Sequence, residues 1–242
     1  MRNIALATTN LLGDIPPIID ITDTLPKEQP WEVLRKPYRH KGHWDQVTYH
    51  TGFRNPKDIT AIVIHHTGSP ESSLESHAKY HMRKWGAGLA YHIAIDQDRI
   101  FQTNNLLSFT YHVGNHNTYT IGIVVNRDLS RGDLTSDERR LLYAAILSVK
   151  ALLPIQHIYA HSELNKTACP MTNVERIRQD IANLEEKINF VENIPEHNRA
   201  AAAYTRMADL REKYEGTGPF KEEAKRKLLL IDEVLRQKGF YN

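Results

Sequence analysis

The chain has 242 residues, a mass of 27.9 kDa and 40% hydrophobic side chains, enough for one sizeable core with an attachment at about 150 residues per domain. Its 31 Lys and Arg nearly balance 29 Asp and Glu, and no basic block is present to track a phosphate backbone, which argues against a nucleic-acid partner. No apolar run approaches the ~18 residues of a membrane span, and the single cysteine, Cys169, excludes an intrachain disulfide.

Residues 1–58 read as an irregular N-terminal arm. Pro16, Pro17, Pro26, Pro30, Pro37 and Pro56 argue against a long helix or a central strand, and the arm is expected to lie on the main domain and bury Trp31 and Trp44. Asp14, Pro16, Pro17 and Asp20 also interrupt any apolar signal segment. The expectation is cytoplasmic synthesis without a signal peptide.

From Ile59 the pattern sharpens. Ala61 to His66 is a short apolar run of the kind buried on both faces in a parallel sheet. Ser72 and Glu75 fit a capping box, and Leu74, His77, Ala78, His81, Met82 and Trp85 follow at helical spacing, with Gly86 and Gly88 as stops. His77 and His81 therefore read as packing residues. Leu89 to Ile95 reads as a strand, Asp96 to Arg99 as a turn, Ile100 to Thr103 as the returning strand, and Thr120 to Val125 as a second strand of the buried type. Thr135 and Glu138 form another capping box, before a helix with Leu141, Leu142, Ala145, Ile146, Val149, Leu152 and Leu153 on one face and Pro154 as its stop.

A strand over Ile155 to Ala160 and a loop from His161 to Pro170 come next, and helices are expected over roughly 173–193, 196–214 and 219–238. The predicted class is α/β: a mixed central sheet flanked by helices over 59–193, with a helical appendage over 194–242. That appendage carries no chemical motif. Its apolar stripes suit a docked hairpin, cell-wall targeting or an oligomer contact.

Three metal-ligating side chains stand at strand ends and in a loop: His65 or His66, His161, and Cys169. Two imidazoles and a thiolate suit Zn²⁺ with a fourth position left for water, the arrangement of catalytic rather than structural zinc. Side chains alternate along a strand, so His65 and His66 face opposite ways and only one of them joins such a site. Both faces are apolar, so parity alone leaves the choice open.

The run Ile62-Val63-Ile64-His65-His66-Thr67, then Tyr91-His92, then Thr120-Ile121-Gly122-Ile123, and His161 followed eight residues on by Cys169-Pro170 resemble the zinc-dependent N-acetylmuramoyl-L-alanine amidases, the family of phage lysins and catalytic peptidoglycan recognition proteins. The resemblance covers about residues 59–190. It implies His65, His161 and Cys169 as zinc ligands, Tyr91 beside the attacking water, and Thr167 as a donor to the developing oxyanion. By the same resemblance His112 stands at a position that lines a muramyl-peptide groove and would contact substrate together with Asn117, the alternative being a plain loop role. His66 and His92 read as interior or supporting histidines, with His66 grouped among the residues near substrate.

The departures are informative. The cytosolic recycling branch has Glu directly after its Ser-Ile-Gly-Ile strand and Asp as third ligand, where this chain has Val124 and Cys169. Animal recognition proteins usually carry a disulfide just after the His pair, and this chain cannot form one. Arg99 stands where the family commonly has Gly. The resemblance thus implies a peptidoglycan hydrolase that cuts between N-acetylmuramic acid and L-alanine, an endolysin-like enzyme acting on the bacterial cell wall. The alternatives are a non-catalytic muramyl-peptide binding module and a phage structural protein carrying the amidase fold. Non-catalytic members typically lose the cysteine ligand, which favours the enzyme.

Overall fold

The structure, a computed structural model, describes residues 11–27, 54–69, 72–85 and 88–193. Within them the two apolar runs of the sequence lie side by side near the middle of a mixed sheet. The strands β1 (Ile18–Asp20), β2 (Ala61–His66), β3 (Ile93–Asp96), β4 (Arg99–Gln102), β5 (Thr120–Val125) and β6 (His157–Ala160) stand in the order β1-β4-β3-β5-β2-β6. Every neighbouring pair is parallel except the β3–β4 hairpin. All of β5, and all of β2 except His66, is buried, as strands covered on both faces require.

The helix α1 (Leu74–Trp85) sends Leu74 and Ala78 into a cluster with Leu89, Ala94 and Val124, and Ile21, Leu25, Tyr91 and Phe101 pack against that cluster. A longer helix, α2 (Ser136–Leu152), lies on β3, β4 and β5 and buries Leu141, Leu142, Ala145, Ile146 and Val149. Its predicted capping box is formed: Thr135 Oγ1 accepts from the Glu138 N–H at 3.2 Å, and the Glu138 carboxylate accepts from the Thr135 N–H at 2.8 Å. One turn, α3 (His161–Leu164), follows β6, and α4 (Val174–Asn193) begins where the Asn173 side chain accepts from the Arg176 N–H at 3.0 Å.

The chain divides into two units, Met1–Glu185 and Glu186–Asn242. Of the second, only residues 186–193 at the end of α4 are among those described. The expected helices over 196–214 and 219–238, and Trp31 and Trp44, lie outside the described residues. No described helix is long and apolar enough to cross a membrane.

Several expectations are corrected. The arm contributes an edge strand: Ile18, Ile19 and Asp20 pair with Ile100, Phe101 and Gln102. Pro16 and Pro17 precede this strand rather than interrupt it, and a sheet edge is where flanking prolines are tolerated. A boundary between residues 58 and 59 therefore cuts through one unit. The first helix is capped by Ser73, whose Oγ accepts from the Ser76 N–H at 3.1 Å, while Ser72 Oγ bonds to Ser69 Oγ. The strand expected from Leu89 starts only at Ile93, because side chains hold the preceding backbone: Asn104 Nδ2 donates to the carbonyls of Leu89 and Tyr91, and the Ala90 N–H donates to His81 Nδ1. Similarly, the last strand begins at His157 rather than Ile155, and the loop expected from His161 opens with α3. Leu152 is 66% exposed at the end of α2 and takes no part in the core.

Candidate metal centre

The sheet register brings the two histidines together. β2 and β6 are parallel, and Ile64 opposite Ala160 is their last paired row. One residue further on, His65 and His161 stand side by side at the C-terminal ends of adjacent strands, with ring centroids 4.6 Å apart. This is the end of a parallel sheet at which ligand crevices open. Alternation along β2 sends His65 to the face of Val124, its register partner on β5, and hence to the α1 side of the sheet.

Cys169 reaches the same point from the loop after α3. Its Sγ accepts from the His66 N–H at 3.4 Å and lies 3.8 Å from His65 Nδ1. The Ser162 N–H donates to the Cys169 carbonyl at 2.8 Å, and the Cys169 N–H donates to Thr167 Oγ1 at 3.2 Å, which holds the loop in place. One ligand atom from each of His65, His161 and Cys169 lies within 4.8 Å of the other two. A tetrahedral zinc site with ordinary Zn–N and Zn–S bonds has ligand-to-ligand edges of about 3.3–3.8 Å, so these donors close on an ion with small side-chain adjustments. The two imidazoles and one thiol fit Zn²⁺ in chemistry as well as in spacing.

The electrostatics suit a metal. Burial holds the His65 imidazole well below its ordinary titration range, and neighbouring His112 and His161 add to the effect. Burial also lowers His161, against a side-chain hydrogen bond with Asn165 that raises it. Both rings are therefore neutral at pH 7, as ligation requires. Burial pushes the Cys169 thiol up to about 11, opposed by the His66 N–H. Binding an ion here must consequently release a proton from sulfur.

The other predicted residues divide in two. Tyr91 belongs to the cluster: its ring centroid is 5.0 Å from that of His65 and 5.6 Å from that of His81. Burial, and then the neighbouring Cys169, raise the phenol above its usual range, which makes Tyr91 a proton-bearing donor at neutral pH rather than a base. Thr167 sits exposed on the cysteine loop.

The remaining three are held by hydrogen bonds within the protein. His66 turns away from the cluster, and its Nδ1 accepts from the Leu129 N–H at 3.0 Å. His112 and Asn117 are each only 5% exposed. Asn117 Oδ1 accepts from the Val113 N–H, and the His112 ring contacts His65 and Thr120. These side chains spend the hydrogen bonds named here inside the protein. Val124 is fully buried against α1, leaving no carboxylate at that position.

Sequence reasoning missed Arg54. Its guanidinium donates to the carbonyls of Leu106 at 2.7 Å, Asn117 at 2.7 Å and Thr120 at 2.6 Å, and so ties down both ends of the loop that carries His112. The only available signal was a lone cation just before a proline-punctuated strand entry, which carries no pattern.

Residues 55–172 match the family model described as N-acetylmuramoyl-L-alanine amidase. Among solved structures the chain is similar to N-acetylmuramoyl-L-alanine amidase LysC from Clostridium intestinale URNW, with 19% identity and a TM-score of 0.53 over 69% of this chain and 98% of that one. It is similar also to the endolysin amidase LysCS from the same organism, with 18% identity and a TM-score of 0.52 over 70% and 97%. The Ph2119 endolysin of a Thermus scotoductus MAT2119 bacteriophage aligns at 26% identity and a TM-score of 0.45 over 64% and 91%. No curated protein matches. The mixed six-stranded sheet is thus the amidase fold, and residues 55–172, just under half of the chain, carry its likeness to the N-acetylmuramoyl-L-alanine amidase family.

Proposed function

We propose that the protein is a zinc-dependent peptidoglycan amidase that hydrolyses the amide bond between the lactyl group of N-acetylmuramic acid and L-alanine. The observation that carries this reading is the convergence of His65, His161 and Cys169 at the C-terminal ends of β2 and β6, within the segment that carries the likeness to the amidase family. Zinc bound there supplies a Lewis acid that polarises an amide carbonyl and makes water acidic enough to attack near neutral pH.

The chain's own residues do the rest. His65 and His161 offer neutral imidazoles, and Cys169 gives up its proton to become the third ligand. Tyr91 keeps its phenolic proton and donates it as a hydrogen bond to the reacting oxygen. Thr167, on the loop of Cys169, offers a second donor to the charge that develops as the carbonyl becomes tetrahedral. His66, whose ring faces Leu129, stays outside the reaction. The names of the similar Clostridium proteins, an amidase and an endolysin amidase, support a lytic enzyme that acts on the cell wall.

The test is turnover of purified sacculi by native, chelated and zinc-restored protein. Chelation should abolish release of soluble fragments and stoichiometric zinc should restore it, with the same behaviour in His66→Ala and no restoration in His65→Ala. Binding of sacculi with no turnover in any of these states would instead establish a recognition module.

A further inference from the structure

We infer that His112 is a positioning residue that fixes which nitrogen of His65 faces the metal, through a one-way chain of hydrogen bonds anchored on the backbone. The inference rests on the metal reading of His65, His161 and Cys169 and concerns what stands behind it. His65 Nε2 lies 3.0 Å from His112 Nδ1, His112 Nε2 lies 3.1 Å from Thr120 Oγ1, and Thr120 Oγ1 lies 2.7 Å from the carbonyl oxygen of His116.

A carbonyl only accepts, so the Thr120 hydroxyl must donate to it. That leaves Thr120 Oγ1 to accept from His112, whose proton therefore sits on Nε2. His112 Nδ1 is then an acceptor, and His65 must donate to it from Nε2. The lone pair of His65 is consequently on Nδ1, the atom that faces Cys169 Sγ at 3.8 Å. Each proton in the chain follows from the last, and the starting point is main chain.

Two further observations show that the structure is built to hold this ring. Gly122 leaves room for it: a Cβ at that position would fall 2.7 Å from His112 Cγ and 2.8 Å from its Nδ1, both impossible without displacement. Behind it stands a second histidine, with the His92 and His112 rings edge to face and their centroids 5.6 Å apart. His92 Nδ1 accepts from the Gly122 N–H at 3.0 Å, and its Nε2 lies 2.9 Å from the Ser108 carbonyl oxygen and 3.0 Å from Arg54 Nη2. Both faces of the arrangement are thereby pinned to backbone. Partners of this kind behind metal-bound histidines set the tautomer and the ring orientation, and their loss typically weakens metal binding 10- to 100-fold.

The experiment combines zinc affinity with a tautomer measurement. Zinc affinity is read by chelator competition on wild type, His112→Phe and His112→Asn, with folding checked by circular dichroism. His112→Phe keeps the ring volume and loses the acceptor, so binding should weaken about 10- to 100-fold. His112→Asn places Oδ1 near the position of Nδ1 and should recover most of the loss. If His112→Phe does not fold, Thr120→Val, which removes the acceptor for His112 Nε2–H, should weaken zinc binding in the same direction. A folded His112→Phe or Thr120→Val with wild-type affinity overturns the inference.

Nitrogen NMR of the metal-stripped wild type reads the tautomer directly. It should show the His65 proton on Nε2, and a proton on Nδ1 instead would also overturn the inference. This second arm needs no zinc, so it separates failure of the relay from failure of the metal reading, which would appear as wild type taking up no zinc at all.

Discussion

Replacing Arg54 with Ala should come close to unfolding the domain, although Arg54 touches neither ligand nor substrate. Its guanidinium makes three short hydrogen bonds, to the carbonyls of Leu106, Asn117 and Thr120 at 2.6–2.7 Å, and longer contacts to the Leu107 carbonyl at 3.3 Å, the Thr118 carbonyl at 3.5 Å and His92 Nε2 at 3.0 Å. Burial is strong enough to lower its pKa to about 9, so the group is still charged at pH 7. Hydrogen bonds to a charged group contribute about 1.5–3 kcal/mol each. The side chain is only partly buried and water can replace some of the loss, so the lower end applies, giving roughly 4–5 kcal/mol for the three short bonds. A domain of this size has about 5–15 kcal/mol in total. Arg54→Lys keeps the charge without the planar fork and should lose about half as much. Urea unfolding followed by circular dichroism measures both, with a lower midpoint and an unchanged slope expected. An Arg54→Ala protein within about 1 kcal/mol of wild type would refute the reasoning, since that is the cost of one ordinary hydrogen bond.

Two other expectations follow from the site and its surroundings. Tyr91→Phe and Thr167→Ala should retain zinc and the native circular dichroism spectrum while losing about 10²–10³ in turnover on sacculi, the scale for removing a donor to a developing oxyanion; unchanged rates would remove both residues from the mechanism. The pH dependence of stability should show His81, which is 5% exposed and whose pKa burial lowers to about 3. The folded value lies below the unfolded value near 6.5, so the unfolded chain binds the extra proton and stability falls as pH drops through 6.5 towards 3. Between pH 7 and pH 5 this group alone removes about 2 kcal/mol in metal-stripped protein. His81→Asn, which keeps an acceptor for the Ala90 N–H, should flatten the urea midpoint over that interval by this amount, and an equal slope in both proteins would contradict it.

The parts of the fold legible in the sequence are those whose cause is local. β5 and β2 announced themselves as unbroken apolar runs because both of their faces are covered. The α2 capping box needed only residues three apart. Strand alternation predicted that one of His65 and His66 would leave the site, and His66 does so, towards Leu129. What stayed hidden depends on partners far along the chain. β1 exists because it finds β4, some 80 residues away by register, and three residues behind a proline pair carry no periodicity of their own. Arg54 reaches carbonyls more than 50 residues distant. The run around His112, with Asn115, His116 and Asn117 after it, suits a groove or a plain loop alike. The burial of His112 comes from Gly122 making room on β5 and Arg54 fastening the loop ends, neither of which is visible in that run itself.

The central claim concerns one bond, and mass spectrometry of the fragments released from purified sacculi addresses it most directly. Digestion should yield glycan strands that keep intact N-acetylmuramic acid with a free lactyl carboxyl, and peptides with a new N-terminal L-alanine, in equal amounts and only with the zinc-loaded protein. New reducing sugar ends, new termini within the peptide stem, or cleavage at the same bond after complete removal of zinc would contradict the account.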